Sequence, residues 1–216
     1  MPFAFPEGLA PEVYPLAWLV GRWRGEGVVE YPGIESRAFV NDVVFDHDGG
    51  PYLRFESTIR VLDTPPPAVP GTAGAAADEV PDFPPSEGEW PEPVAVPESA
   101  EAGVPAPEET AGTVWSTETG YWRVSSDRPD GMEEDRHALE VLVADASGRM
   151  SLFLGMVGNG RVDLATDFVA RTSTASEVTA AKRLYGLVEG QLMWVEDLAA
   201  FGHPLRSYAS ARLDRV

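Results

Sequence analysis

The chain has 216 residues, no cysteine, and 35 acidic against 16 basic side chains, a formal charge of -19. The absence of cysteine excludes a disulfide framework, a thiolate metal site and a cysteine nucleophile, and fits a reducing, cytoplasmic setting. So acidic a chain should repel phosphate backbones, which argues against nucleic acid. No apolar run approaches the roughly 20 residues that span a bilayer, so no membrane partner is expected. The opening Met1–Glu7 also lacks the basic segment of a secretion signal.

Residues 1–17 read as an N-terminal extension, with a short helix around Pro11–Val20 whose length Pro15 limits. From there apolar and polar residues alternate with period two, and no long stripe at helical spacing occurs. The candidate strands in residues 18–62 are Trp23–Glu30, Arg37–Phe45 and Tyr52–Val61, the last two separated by the turn signal His47-Asp48-Gly49-Gly50-Pro51. Composition then shifts. Residues 63–112 hold 12 of the 20 prolines and 11 acidic groups, with no Lys or Arg. Such a stretch buries too little surface to offset its ordering entropy, so it is expected to be a disordered loop insertion. Phe83 and Trp90 are its only aromatics and would be the anchors if it recruits a partner. The remaining 166 residues carry 16 basic and 24 acidic groups, only -8 of the net charge.

Residues 113–216 resume the alternation. Candidate strands are Val114–Val124, Ala138–Ala144, Met150–Gly158, Arg161–Arg171, Glu177–Leu187, Gln191–Leu198 and Leu205–Leu213. Gly-containing turns at Ser147-Gly148, Gly158-Asn159-Gly160 and Glu189-Gly190 punctuate them. Ten sequential strands with short turns predict an all-β, antiparallel up-and-down barrel, with a two-sheet sandwich as the other arrangement. A closed barrel of this size has no edge strands and an interior fit for one small ligand.

Within the first strand, Gly21, Trp23, Gly25 and Gly27 share one face, so a backbone or a flat ligand can approach closely there while Trp23 plugs the barrel floor. Hydrolytic sites are not indicated. There is no G-x-S-x-G elbow, and the neighbours Glu196 and Asp197 should point to opposite faces of their strand. Asp163, Asp167 and Arg171 read as a solvated outer surface. Of the three histidines, His137 follows the acidic run Glu133–Asp135 and should be solvated, while His47 and His203 sit beside turns.

The motif order resembles that of the nitrobindins. Gly21–Gly27 is similar to their G-x-W-x-G-x-G, and Tyr31-Pro32-Gly33-Ile34 to Y-P-T-I. Phe45–Leu53 resembles F-x-H-x-G-K-P-F-L, Glu118–Val124 resembles E-T-G-Y-L-R-V, and Ala199–Leu205 resembles A-V-G-Q-P-L. The resemblance implies a ten-stranded barrel similar to fatty-acid-binding proteins, within the broader lipocalin-like group. It also implies one haem b whose iron is held by a histidine on the last strand, with nitric oxide binding and isomerisation of peroxynitrite to nitrate. The family's P-L-Q-x-H-L-x-A-x-L appears here as Pro204–Leu213, with Tyr208 in the histidine's place. Other cofactor-pocket positions that the resemblance marks are Gly33 for a threonine, Leu198 for a methionine, Ser176 for a lysine, and His47 at the F-x-H position.

An imidazole binds iron as the neutral base, whereas a phenol, with a pKa of about 10, must first lose its proton. The expected protein is therefore a nitrobindin-like barrel without the family's haem or isomerase activity, binding an unknown small apolar ligand as a monomer or homodimer. One alternative is a ferric haem held by the Tyr208 phenolate, with Arg206 on the same strand face as its cationic helper. The other is an interaction protein that uses the acidic insert.

Overall fold

The computed structural model describes residues 6–63 and 112–216; nearly all of the acidic insert, with Phe83 and Trp90, lies outside the described residues. A nine-residue 3-10 helix, Pro11–Leu19, precedes the sheet. Pro15 lies inside it, and its missing amide donor and fixed φ suit a short turn-like helix better than an α-helix. The strands are β1 (Gly21–Tyr31), β2 (Ile34–Asp46), β3 (Leu53–Val61), β4 (Thr113–Val124) and β5 (His137–Asp145), then β6 (Arg149–Gly158), β7 (Arg161–Arg171), β8 (Val178–Val188), β9 (Gln191–Ala200) and β10 (Arg206–Arg215). Each pairs antiparallel with its sequence neighbour, and β1 pairs with β10, so the sheet closes into a barrel.

The first strand shows why the closure is possible. A Cβ at Gly25 would lie 2.1 Å from the Arg212 carbonyl oxygen on β10. One at Gly27 would lie 2.3 Å both from the Ser210 carbonyl oxygen and from the Phe39 ring. The glycines thus admit neighbouring protein, the backbone of β10 and an aromatic of β2, at the seam where the barrel shuts. Two residues before Gly25, Trp23 is fully buried. Its Nε1 donates to the Leu19 carbonyl at 2.7 Å, and the Arg215 guanidinium stacks 4.1 Å from its ring centre. Arg215 also donates to the Trp18 and Val20 carbonyls, fastening the helix over this end.

The buried side chains concentrate at that plugged end. Val13, Leu16 and Leu19 of the helix meet Phe45, Leu53, Phe55, Trp122, Leu139 and Phe153 inside the barrel. Phe45 and Trp122 pack edge to face at 5.1 Å. The other end, where β1 turns into β2, β5 into β6, β7 into β8 and β9 into β10, has no such plug among the described residues. Residues 63 and 112, the flanks of the insert, leave and re-enter the barrel at this open end, next to the end of β3 and the start of β4.

Candidate functional site

A cavity of about 410 Å³ opens at the unplugged end. Its apolar walls include Ile34, Val43, Phe55, Ile59, Val178 and Leu198, and its aromatic faces come from Trp115, Tyr185, Trp194, Phe201 and Tyr208. Two of the register shifts at the mouth aim side chains across it. The β3–β4 register skips Trp115 and the β10–β9 register skips Tyr208. A bulge inserts one unpaired residue and re-aims its side chain. Here both re-aimed side chains meet across the mouth: Trp115 Nε1 donates to Tyr208 Oη at 2.7 Å. Tyr208 also packs edge-on against Tyr31 at 5.9 Å. Tyr31 in turn donates to the Leu198 carbonyl at 2.9 Å and accepts from the Ala200 amide at 3.0 Å, tying β1 to β9.

The bulge corrects one expectation. Strict alternation would put Arg206, Tyr208, Ser210 and Arg212 on one face. Instead Tyr208 leans inward beside the buried Ala209, Ala211 and Leu213, and past the bulge Ser210 and Arg212 are exposed, while Arg206 pairs with the cavity residue Leu198 before the bulge and stands exposed at the mouth. Arg206 does not line the cavity. Burial pushes the Tyr208 phenol above its ordinary value of 10.0, and the hydrogen bond from Trp115 offsets this only in part.

Below the mouth lies a cluster of buried polar side chains. Arg183 reaches from β8 across the barrel to Glu118 on β4, with Nη1 to Oε2 at 2.8 Å and Nη2 to Oε1 at 2.6 Å. Its Nε donates to Glu196 Oε1 on β9 at 3.0 Å. Burial raises the Glu196 carboxyl, Arg183 opposes this and Glu118 adds to it, and the balance stays above the usual carboxylate value. Burial likewise pushes the Tyr185 phenol beside them well up, so that it stays protonated. A second, uncharged network has Trp194 Nε1 donating to Asn41 Oδ1 at 3.0 Å and Asn41 Nδ2 donating to Ser57 Oγ at 2.9 Å. Arg149 donates from Nε to Asp145 Oδ2 at 2.6 Å near the β5–β6 turn.

Of the positions marked in the sequence, the cavity brings together Ser176, Leu198 and Tyr208. Gly33 sits in the exposed β1–β2 turn with φ +82° and does not line the cavity. Gly21, Trp23, Gly25 and Gly27 belong to the seam and plug. His47 lies in the β2–β3 turn at the plugged end; its backbone amide donates to Asp46 Oδ1 at 2.8 Å, and its Nδ1 bonds to nothing, so the ring does not cap the turn. His203 is exposed in the β9–β10 turn, edge-on to Tyr31 at 6.0 Å, and His137 is exposed at the start of β5.

Sequence reasoning missed Glu118, Arg183 and Glu196 as a set. Glu196 and Asp197 were weighed only as neighbours, whereas the carboxylate facing Glu196 comes from β4. The available signal was parity: Trp194, Glu196 and Leu198 alternate inward on β9, and Ala181, Arg183 and Tyr185 do so on β8.

The fold and its hollow end define a class, a closed β-barrel with an interior cavity of small-molecule size. The chain belongs to the family of THAP4-like, heme-binding β-barrel domains, whose family model matches residues 12–215. It is 46% identical to a "Ferric nitrobindin-like protein" of Beutenbergia cavernae over the full length of both chains. It is 36% identical to a "Peroxynitrite isomerase" of Clavibacter michiganensis over 98% of each. Among solved structures, Rv2717c from M. tuberculosis superposes with a TM-score of 0.64 at 24% identity, covering 96% of this chain and 99% of the other, a likeness of fold.

The donor set bears on the family's haem. Among the described residues, the cavity lining contains no histidine, methionine or lysine, and the chain has no cysteine. The ionisable oxygen donors lining the hollow, among the described residues, are the phenols Tyr185 and Tyr208 and the carboxylates Glu118, Asp145 and Glu196. Both phenols are held in the protonated form by burial. These residues do not fit an axial imidazole-type ligation of haem iron.

Proposed function

We propose that this chain is a nitrobindin-like barrel that has lost the family's axial histidine, and with it haem-dependent peroxynitrite isomerisation, and that it holds a different small molecule in the same cavity. The observation that carries this reading is Tyr208. It stands where the resemblance puts the iron ligand, its phenol is raised by burial, and its oxygen already accepts a hydrogen bond from Trp115. A phenolate ligand to ferric iron needs a cation nearby to favour proton loss. Arg206 is exposed and does not line the cavity, Arg183 is committed to two carboxylates, and Arg149 to Asp145. The phenolate-ligated alternative therefore finds no support in the surroundings of Tyr208.

Titrating the purified protein with hemin tests the reading. No sharp, saturating Soret band is expected at one equivalent. Tyr208→His restores a base that binds iron without losing a proton and should gain a one-to-one complex. A tight one-to-one hemin complex of the unaltered protein would overturn the proposal.

A further inference from the structure

The charges lining the cavity do not balance. Three carboxylates, Glu118, Asp145 and Glu196, face two guanidinium groups, Arg149 and Arg183. Arg149 and Asp145 form a neutral pair at 2.6 Å. Arg183 is shared: it holds both oxygens of Glu118, at 2.8 and 2.6 Å, and one oxygen of Glu196, at 3.0 Å. The other Glu196 oxygen, Oε2, takes part in none of these bonds. One formal negative charge is left over, on side chains that are all at most 15% exposed. A buried charge without a counterion is costly, and the cost is relieved by a partner of opposite sign.

The rest of the wall suits one kind of partner. Trp115, Trp194, Tyr185 and Tyr208 turn aromatic surface to the same hollow. Aromatic faces attract cations, and more strongly once water is excluded. The volume of about 410 Å³ lies in the range for small-molecule pockets. An anionic head would add to the surplus charge, and a neutral molecule would leave it uncompensated.

We propose that the cavity binds a small organic cation, an ammonium or amidinium head carrying an apolar body, with the head at Glu196 and Glu118 and the body between the aromatic walls. This rests on the reading that the cavity serves a ligand other than haem.

Calorimetric titration of the full chain near neutral pH tests it with three probes of one shape: 4-phenylbutylammonium, 4-phenylbutanol and 4-phenylbutanoate. The ammonium should bind at least ~10-fold more tightly than the alcohol, with the carboxylate weakest. Glu196→Gln removes the surplus charge while leaving Arg183 and Glu118 paired, and should bring the ammonium to the level of the alcohol. Binding of the alcohol or carboxylate as tightly as the ammonium overturns the proposal. So does failure of the ammonium to bind at millimolar concentration, or a folded Glu196→Gln protein that keeps the preference. If that variant does not fold, the comparison of probes on the unaltered protein decides alone. The hemin titration reads the underlying proposal separately. Tight hemin binding with the ammonium preference intact sinks only the haem-free reading, and absence of both sinks only the cation.

Discussion

Replacing Arg183 by methionine would remove the one cation that Glu118 and Glu196 share. Methionine fills similar volume, so the perturbation is electrostatic rather than a cavity. The three side chains are 9%, 15% and 10% exposed, and solvent cannot take over the role of the guanidinium. Breaking a buried ion pair by removing one partner costs about 3–5 kcal/mol, a large share of the ~5–15 kcal/mol that holds a domain folded. The loss should depend on pH in a defined sense. Glu196 is already raised above the ordinary 4.5 by burial and by Glu118, and without Arg183 it loses the group that opposes this, so its folded-state pKa rises further. A carboxyl raised in the folded state binds more protons there than in the unfolded chain. Stability then falls as pH rises through the window from 4.5 up to the raised value. The deficit should be largest near pH 8 and should shrink by ~1 kcal/mol or more near pH 5. Urea unfolding followed by tryptophan fluorescence at the two pH values measures this. Adding Glu118→Leu and Glu196→Leu to Arg183→Met should recover most of the stability. A loss below ~1 kcal/mol at the higher pH, or one that does not change with pH, would refute the argument that these charges are buried and coupled.

Two further substitutions probe the scaffold. Gly25→Ala places a methyl group 2.1 Å from the Arg212 carbonyl at the β1–β10 seam. It should cost about 1–3 kcal/mol or more in urea unfolding, because both strands must separate locally to admit it. Asp145→Asn acts at the mouth. Burial raises this carboxyl, but hydrogen bonds from Ser147 and Arg149 outweigh that and hold it below its ordinary 3.8. A lowered acid contributes stability that is present above its unfolded value and lost as pH falls through the folded one. The variant should therefore lose about 1 kcal/mol at neutral pH, allowing for solvent screening. Its deficit against the unaltered protein should vanish as acid titration proceeds below 3.8.

Strand count, order and closure were legible in the chain because they follow from local rules. Period-two alternation marks a half-buried strand, the Gly-rich turns set where each one ends, and Gly25 and Gly27 sit where a side chain could not. The order of motifs carried the family. What the linear pattern could not show is which way side chains face at the mouth. Trp115 and Tyr208 each sit at a bulge, where one extra residue cancels the parity from which orientation is read. For this reason Ser210 and Arg212 do not share the inward face of Tyr208, as strict alternation would have them do.

The amino-acid sequence by itself determined the container: ten short antiparallel strands, a tryptophan plug, and a phenol at the resemblance's iron position. Only the tertiary structure decided what the container holds together. Glu118 and Arg183 are 65 residues apart, with β5, β6 and β7 between their strands, and they meet because the closed sheet faces them across its interior. Local propensity acts over a few neighbours along the chain, whereas the charge of a cavity is a sum over strands that closure alone brings within reach.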